Sequence, residues 1–239
     1  MKILISDYDG TLDRNDCGVT AEDRAAIRKW REAGNLFAIA TGRSLGDIGT
    51  IAKSLNADYV ICCGGGDIFG RTLYPIKKFS ATRQALEDLI GFLNRYNCRF
   101  ITIRSQSEEY CIGLSENGIL ELPPEVSGFE GFSFDSFGLP SKKMAEEMTG
   151  LFDGRISVIP TDGGIDIAPW GVNKAAAINY IIKRIPIDSS NVITVGDSNN
   201  DAEMISEFNG VTVSNGNSYI KSIARAVYND FTKICEDNM

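Results

Sequence analysis

Four short clusters hold the side chains best suited to chemistry. The first, Asp7-Tyr8-Asp9-Gly10-Thr11, follows the apolar run Ile3-Leu4-Ile5, and the period of two along an extended chain puts Asp7 and Asp9 on the same side. Two carboxylates crowded together are costly unless a cation or a shared proton neutralises them, and oxygen ligands alone suit Mg²⁺. The second, Thr41-Gly42-Arg43, ends the run Leu36 to Ala40, with a hydroxyl and a flexible glycine just ahead of a helix start at Ser44. Donors grouped there could meet an anion. In the third, Lys174 stands in the first turn of a helix behind Asn173, a good N-cap, at the positive end where lysine is electrostatically misplaced. Lysine and helix dipole together would attract phosphate. The fourth, Gly196-Asp197-Ser198-Asn199-Asn200-Asp201, closes the run Val192 to Val195. Asp197 and Asp201, four apart, can face one site from a helical turn, one as metal ligand and one behind it.

Taken singly, each cluster has a plainer reading: a solvated turn, a strand ending at a glycine, a surface lysine, an Asn/Asp helix cap. Their meaning depends on the elements that position them. Strands are expected over Ile3-Leu4-Ile5, Leu36 to Ala40, Tyr59 to Cys62, Val192 to Val195 and Val211 to Val213. Helices are expected over Thr20 to Ala33, Ser44 to Leu55, Lys174 to Ile185, Asn200 to Glu207 and near Tyr219. Near-continuous apolar strands separated by helices mean a parallel sheet covered on both faces. All four clusters then meet at its carboxyl edge, where ligands of open α/β folds bind.

The rhythm changes near Ser80. A helix with Ala85, Leu86, Leu89, Ile90 and Leu93 on one face precedes strand-like runs at Phe100 to Ile103, Tyr110 to Ile112, Phe132 to Phe134 and Ile156 to Ile159, with a second amphipathic helix over Lys142 to Leu151. This α+β segment, residues 79–165, is inserted into a core of residues 1–78 and 166–239. Residues between 80 and 160 carry more acids than bases, which argues against polyanionic substrates.

Composition narrows the chemistry further. The 239 residues are 43% hydrophobic and 23% charged, which is ordinary globular protein. A net charge of −8 disfavours nucleic acid and anionic membrane as partners. With no histidine, Ser-His-Asp triads, phosphohistidine and His-ligated zinc or haem are excluded. The six scattered cysteines form no Cys-x-x-Cys and read as reduced, and no run approaches a membrane span or a signal sequence, so a cytoplasmic protein is expected. Cys98 and Arg104 have the Cys-x₅-Arg spacing of thiolate phosphatases, but the β-branched residues between them favour a strand rather than a phosphate loop.

The ordered set Asp7-x-Asp9-Gly10-Thr11, Thr41-Gly42-Arg43, Lys174 and Gly196-Asp197-x-x-Asn200-Asp201 resembles the four motifs of the haloacid dehalogenase (HAD) superfamily, and the insert resembles the C2-type cap of its Cof-like, type IIB phosphatases. The resemblance implies an α/β fold, a Rossmannoid parallel-sheet core with an inserted α+β cap, and Mg²⁺-dependent hydrolysis of a small-molecule phosphate ester, with sugar phosphates foremost. It implies Asp7 as nucleophile, forming an aspartyl-phosphate, and Asp9 as general acid and base with a raised pKa. Asp7, the Asp9 carbonyl and Asp197 would hold Mg²⁺. Asp7, Tyr8, Asp9, Gly10, Thr41, Gly42, Lys174 and Asn200 would surround the phosphate, with Thr11, Arg43, Ser198 and Asp201 supporting them. Where type IIB members carry Asn-Gly-Ala after the third strand, this chain has Gly64-Gly65-Gly66. A sugar phosphomutase of the same fold and a non-catalytic phospho-ligand-binding module are the alternatives, separable by release of inorganic phosphate.

Overall fold

The computed structural model describes residues 1–15, 17–96, 98–105, 108–135, 141–161 and 164–239. The chain opens with β1 (Ile3–Ser6), α1 (Ala21–Glu32), β2 (Leu36–Ala40), α2 (Leu45–Ser54) and β3 (Tyr59–Cys62). Both helices start where side chains cap them: Thr20 accepts from the Asp23 amide and Ser44 from the Asp47 amide. A hairpin of β4 (Asp67–Gly70) and β5 (Pro75–Lys78) follows, which the sequence reading does not assign.

The insert contains β6 (Ala81–Thr82), α3 (Arg83–Arg95), β7 (Phe100–Ser105), β8 (Glu108–Gly113), β9 (Gly128–Phe129), β10 (Gly131–Asp135), α4 (Ser141–Leu151), β11 (Ile156–Pro160) and β12 (Gly164–Pro169). The core resumes with α5 (Lys174–Ile182), β13 (Val192–Gly196), α6 (Ala202–Glu207), β14 (Val211–Val213), α7 (Ser218–Ile223), β15 (Val227–Tyr228) and α8 (Phe231–Asn238). α5 stops short of the expected Ile185 because Pro186 restricts the residue before it. α8, also unassigned from sequence, packs Phe231, Ile234 and Cys235 into the core shared with α1.

The core sheet has the order β15-β14-β13-β1-β2-β3-β4-β5. Pairing is parallel from β15 to β3, and the β4–β5 hairpin is antiparallel. Strand alternation divides its contents: Leu4, Phe37 and Ile39 join Trp30 and Phe231 on one face, while Ile3, Ile5 and Ala38 join Ile178, Met204 and Ile205 on the other. This is the fully covered parallel sheet that the apolar runs imply.

The cap sheet is antiparallel, in the order β11-β12-β10-β7-β8. One face buries Ile101, Ile103, Phe132, Phe134, Ile165 and Ile167 against Leu86, Leu89, Met144 and Met148 of α3 and α4. Because β12 stays in this sheet to Pro169, the return crossing lies after Pro169 and not at 166 as expected from sequence. Asp166 is therefore a cap residue.

Core and cap meet tightly at the glycine run. A Cβ at Gly66 would lie 2.3 Å from the Glu130 carbonyl oxygen, and one at Gly131 would lie 3.1 Å from the Cys63 Cβ. Asp67, fully buried beside this contact, has neither carboxylate oxygen hydrogen-bonded. Lys78 Nζ lies 3.9 Å from Asp67 and 3.7 Å from Glu130. No described helix is long and apolar enough to cross a membrane.

Candidate active site

The carboxyl ends of β1, β2 and β13 and the start of α5 converge as the clusters predict. Asp7 is buried, its amide donating to the Val195 carbonyl at 2.8 Å, so the two central strands fix its backbone. Lys174 enters from α5, whose cap Asn173 accepts the Ala176 amide at 2.8 Å. The Lys174 side chain is 1% exposed, and Nζ donates to Oδ1 of Asp7 and to Oδ1 of Asp201, both at 2.6 Å. These two carboxylates explain how a lysine is tolerated at the positive end of a helix.

Asp201 does two jobs. Its Oδ1 accepts from Lys174, while Oδ2 accepts the amides of Asp197 (3.0 Å) and Ser198 (3.1 Å), a capping box that fixes the turn after β13. Ser198 Oγ donates to Asn200 Oδ1 at 2.8 Å. Thr11 Oγ1 donates to Asp197 Oδ1 at 2.7 Å. Gly10, at φ 74°, lies so close that a Cβ would sit 2.4 Å from Asp197 Oδ2. From the Val213 to Ser218 segment, which the sequence reading leaves without a role, Asn215 donates to the Gly10 carbonyl at 2.6 Å and the Asn217 amide to the Asp197 carbonyl at 2.9 Å.

Asp7, Asp197 and Asp201 each offer a carboxylate oxygen, all within 4.8 Å of one another. Burial pushes the Asp7 carboxyl well above the usual carboxylate range despite Lys174, and Asp201 and Asp197 push the same way. Burial likewise lifts Asp197 to about 6, against the hydrogen bond from Thr11. Burial disfavours the Lys174 ammonium, but Asp201 and Asp7 outweigh it and raise its pKa above the ordinary lysine value. Acids this crowded have a donor set fit for a divalent cation, which would relieve their repulsion. Both Asp201 oxygens are already engaged, leaving Asp7 and Asp197 as the available carboxylates.

Asp9 departs from expectation. The chain turns at Gly10, and the amides of Leu12 and Asp13 fold back onto the Tyr8 carbonyl. The Asp9 side chain is consequently 51% exposed and bridged by Arg43, Nε at 3.0 Å and Nη2 at 2.5 Å, instead of crowding Asp7. The three-acid group is made of side chains, so it includes Asp201 and leaves Asp9 to its expected main-chain carbonyl. The Arg43 guanidinium also stacks 4.9 Å from the centre of the buried Tyr8 ring, whose hydroxyl donates to Asp13.

Two of the residues expected at the phosphate already hold local partners. The Gly10 amide is committed to the Asp13 carbonyl at 2.9 Å. Thr41 is fully buried, its hydroxyl accepting the Arg43 amide at 3.1 Å. Asp7, Asp9, Gly42, Arg43, Ser198 and Asn200 do line a cavity of about 240 Å³, with Gly64 beside them where no side chain fills the space.

The cap roofs this cavity with residues that sequence reasoning missed, chiefly Arg104 and Asp166. Burial raises the Asp166 pKa against the pull of Arg104, Lys174 and, least, the Asn200 side chain. The available signal was alternation: Arg104 interrupts an apolar strand at period two, as Asp166 does between Ile165 and Ile167.

Comparison with known proteins agrees with this geometry. The family model for haloacid dehalogenase-like hydrolases matches residues 4–121 and 138–233. The chain is 24% identical over 230 residues to the 5-amino-6-(5-phospho-D-ribitylamino)uracil phosphatase YcsE of Bacillus subtilis, covering 94% of this chain and 88% of that protein. It is 25% identical over 229 residues to a phosphoglycolate phosphatase of Pyrobaculum islandicum, covering 95% and 88%. A haloacid dehalogenase-like hydrolase structure from B. subtilis superposes with TM-score 0.84 at 20% identity, covering 100% of this chain and 99% of that one. The HAD subclass IIB sugar phosphatase BT4131 superposes with TM-score 0.80 at 17% identity, covering 99% and 97%. With both halves of the core and the intervening cap accounted for, this chain belongs to the haloacid dehalogenase-like hydrolases and is a phosphatase of that family.

Proposed function

We propose that the protein hydrolyses small phosphomonoesters, sugar phosphates foremost, with Mg²⁺ and through an aspartyl-phosphate on Asp7. The observation that carries this reading is the buried group in which Lys174 joins Asp7 and Asp201 while Asp197 stands alongside. Asp7 and Asp197, with the Asp9 carbonyl, would hold the ion. Bound there, Mg²⁺ supplies positive charge against the phosphoryl oxygens and against the crowded acids.

An Asp7 carboxylate oxygen attacks phosphorus, forming the Asp7–phosphorus bond as the bond to the ester oxygen breaks and its electron pair leaves with that oxygen. Asp9 donates a proton to the departing oxygen. It then takes one from a water whose oxygen attacks phosphorus, freeing Asp7 and inorganic phosphate. An exposed pair such as Asp9–Arg43 is worth about 0–1 kcal/mol, so Asp9 is free to leave Arg43 as substrate enters. Lys174 and Asn200 stabilise the phosphoryl oxygens, and Asp201 holds Lys174 in place. Two relatives bear names of phosphatases acting on small hydroxylated or carboxylated esters, which agrees with a cavity of about 240 Å³.

The test is a panel of phosphate esters assayed for released phosphate with Mg²⁺ and with chelator. Turnover that requires Mg²⁺ and disappears in Asp7→Asn supports the reading. Metal-independent turnover, or turnover surviving Asp7→Asn, overturns it.

A further inference from the structure

One rim of the cavity closes where the turn after β3 meets the turn before β10. Cys63 and Gly64 line the cavity from the core, and Arg104 and Gly131 line it from the cap. Glu130, next to Gly131, ties these roof residues together, its amide donating to the Arg104 carbonyl at 2.8 Å. Its carboxylate is buried at the seam, accepting from Ser80 Oγ at 2.6 Å and lying 3.7 Å from Lys78 Nζ. On the core side Asp67 opens β4, 1% exposed, with neither carboxylate oxygen hydrogen-bonded and Lys78 Nζ 3.9 Å away. Lys78 ends β5 and Ser80 follows it, so both belong to the stretch of chain that enters the cap.

Among the described residues, one ammonium faces two buried carboxylates there, so the seam carries excess negative charge when both acids are ionised. Lys78 is 38% exposed and too far from either acid for a hydrogen bond, so it offsets their repulsion only in part. A proton on Asp67 removes the excess and lets the seam close. Burial and then Glu130 raise the Asp67 carboxyl to about 6, against the pull of Lys78, so that proton comes and goes under mild conditions. The adjoining Cys62 and Cys63 thiols, on which Asp47 and Arg104 respectively also act, are pushed up by burial and stay neutral throughout.

Resting on the phosphatase reading above, we infer that Asp67, Glu130 and Lys78 are positioning residues, a charged latch in which a proton on Asp67 sets how tightly the cap roof seats over Asp7. The turn that carries Glu130 has no slack at the seam, since a Cβ at Gly66 would lie 2.3 Å from the Glu130 carbonyl oxygen. Repulsion between the two charged acids therefore acts on the roof through Glu130, Gly131 and the backbone of Arg104. With the proton in place the roof settles, holding substrate longer and opening less readily for product. Asp67→Asn fixes the latch in its neutral form at every pH.

The experiment compares Asp67→Asn with the unaltered protein at pH 7.5 and at pH 5, following phosphate released from p-nitrophenyl phosphate with Mg²⁺. At pH 7.5 the variant's KM should be at least threefold lower while kcat does not rise, and at pH 5 the two proteins should agree within 1.5-fold. Amide hydrogen exchange supplies a readout besides activity. The Phe79 amide, which donates to the Gly66 carbonyl at 2.7 Å beside the latch, should exchange at least threefold more slowly in Asp67→Asn at pH 7.5, and equally at pH 5. Each rate is taken relative to the Thr41 amide, bonded to the Ile61 carbonyl inside the core sheet, so that a general gain in stability cancels. Lys78→Met should raise KM at least threefold at pH 7.5, with Lys78→Arg restoring it; Asp67→Asn carries the test if Lys78→Met fails to fold. A KM or an exchange ratio for Asp67→Asn that is unchanged at pH 7.5, or offset equally at both pH values, overturns the inference. The expected exchange difference without phosphate release by the unaltered protein would instead defeat the phosphatase reading and leave the latch standing.

Discussion

Lys174 and Asp201 form a buried ion pair at 2.6 Å, the lysine side chain 1% exposed and the aspartate fully enclosed. A second carboxylate, Asp7, shares the same ammonium. Replacing Lys174 by Met leaves two buried acids without their cation, a loss of about 3–5 kcal/mol for breaking such a pair. Urea unfolding should show that loss, and turnover should fall at least a hundredfold.

Asp7→Asn separates function from stability. Burial already disfavours the ionised Asp7 carboxyl, so the neutral amide removes a strained charge while Lys174 keeps Asp201. Turnover should vanish, and the melting temperature measured without metal should equal or exceed that of the unaltered protein.

Gly10→Ala should act through Asp197. At φ 74° a Cβ is strained by about 1 kcal/mol or more, and at 2.4 Å it would displace the Asp197 carboxylate that Thr11 holds. Expected results are at least a tenfold fall in turnover and a higher Mg²⁺ concentration for half-maximal activity. Titration of activity against Mg²⁺ checks both.

Asp67 provides a pH-dependent prediction. Burial and then Glu130 push its carboxyl up to about 6, against the pull of Lys78. The folded protein therefore holds this proton more tightly than the unfolded chain, and stability from this group falls as pH rises from about 4 to 6 and stays lower above. Asp67→Asn should match the unaltered protein near pH 4 and be more stable, by on the order of 2 kcal/mol, at pH 7. Equal unfolding free energies at both pH values would contradict the assignment.

What the sequence made legible follows from how strongly each element announces itself. β1, β2 and β13 are buried on both faces and read as unbroken apolar runs, and Asn173, Thr20 and Ser44 mark helix starts by their capping chemistry. β4 and β5 begin with Asp67 and Pro75 and add only to the sheet's edge, so neither run carries a strong period. β12 alternates cleanly, yet Asp166 and Pro169 read as a crossing. At the site, Lys174, Asp201 and Asp197 were readable from position, whereas the orientation of Asp9 depended on the turn at Gly10. Arg104 and Asp166 were hidden because pairing across the cap sheet brings them over the cavity from distant parts of the chain.

The neighbours of β1 come from far apart in the chain: β2 ends at Ala40, while β13 begins at Val192. During synthesis the first β1-α1-β2 unit of the sheet can assemble early, but the other edge of β1 waits while the whole insert is made. At about 5–20 residues per second that interval is on the order of ten seconds. Throughout it a nascent chain presents an unpaired apolar strand, and the insert is finished before the domain that houses it, so chaperone demand on the ribosome should peak before residue 192 emerges.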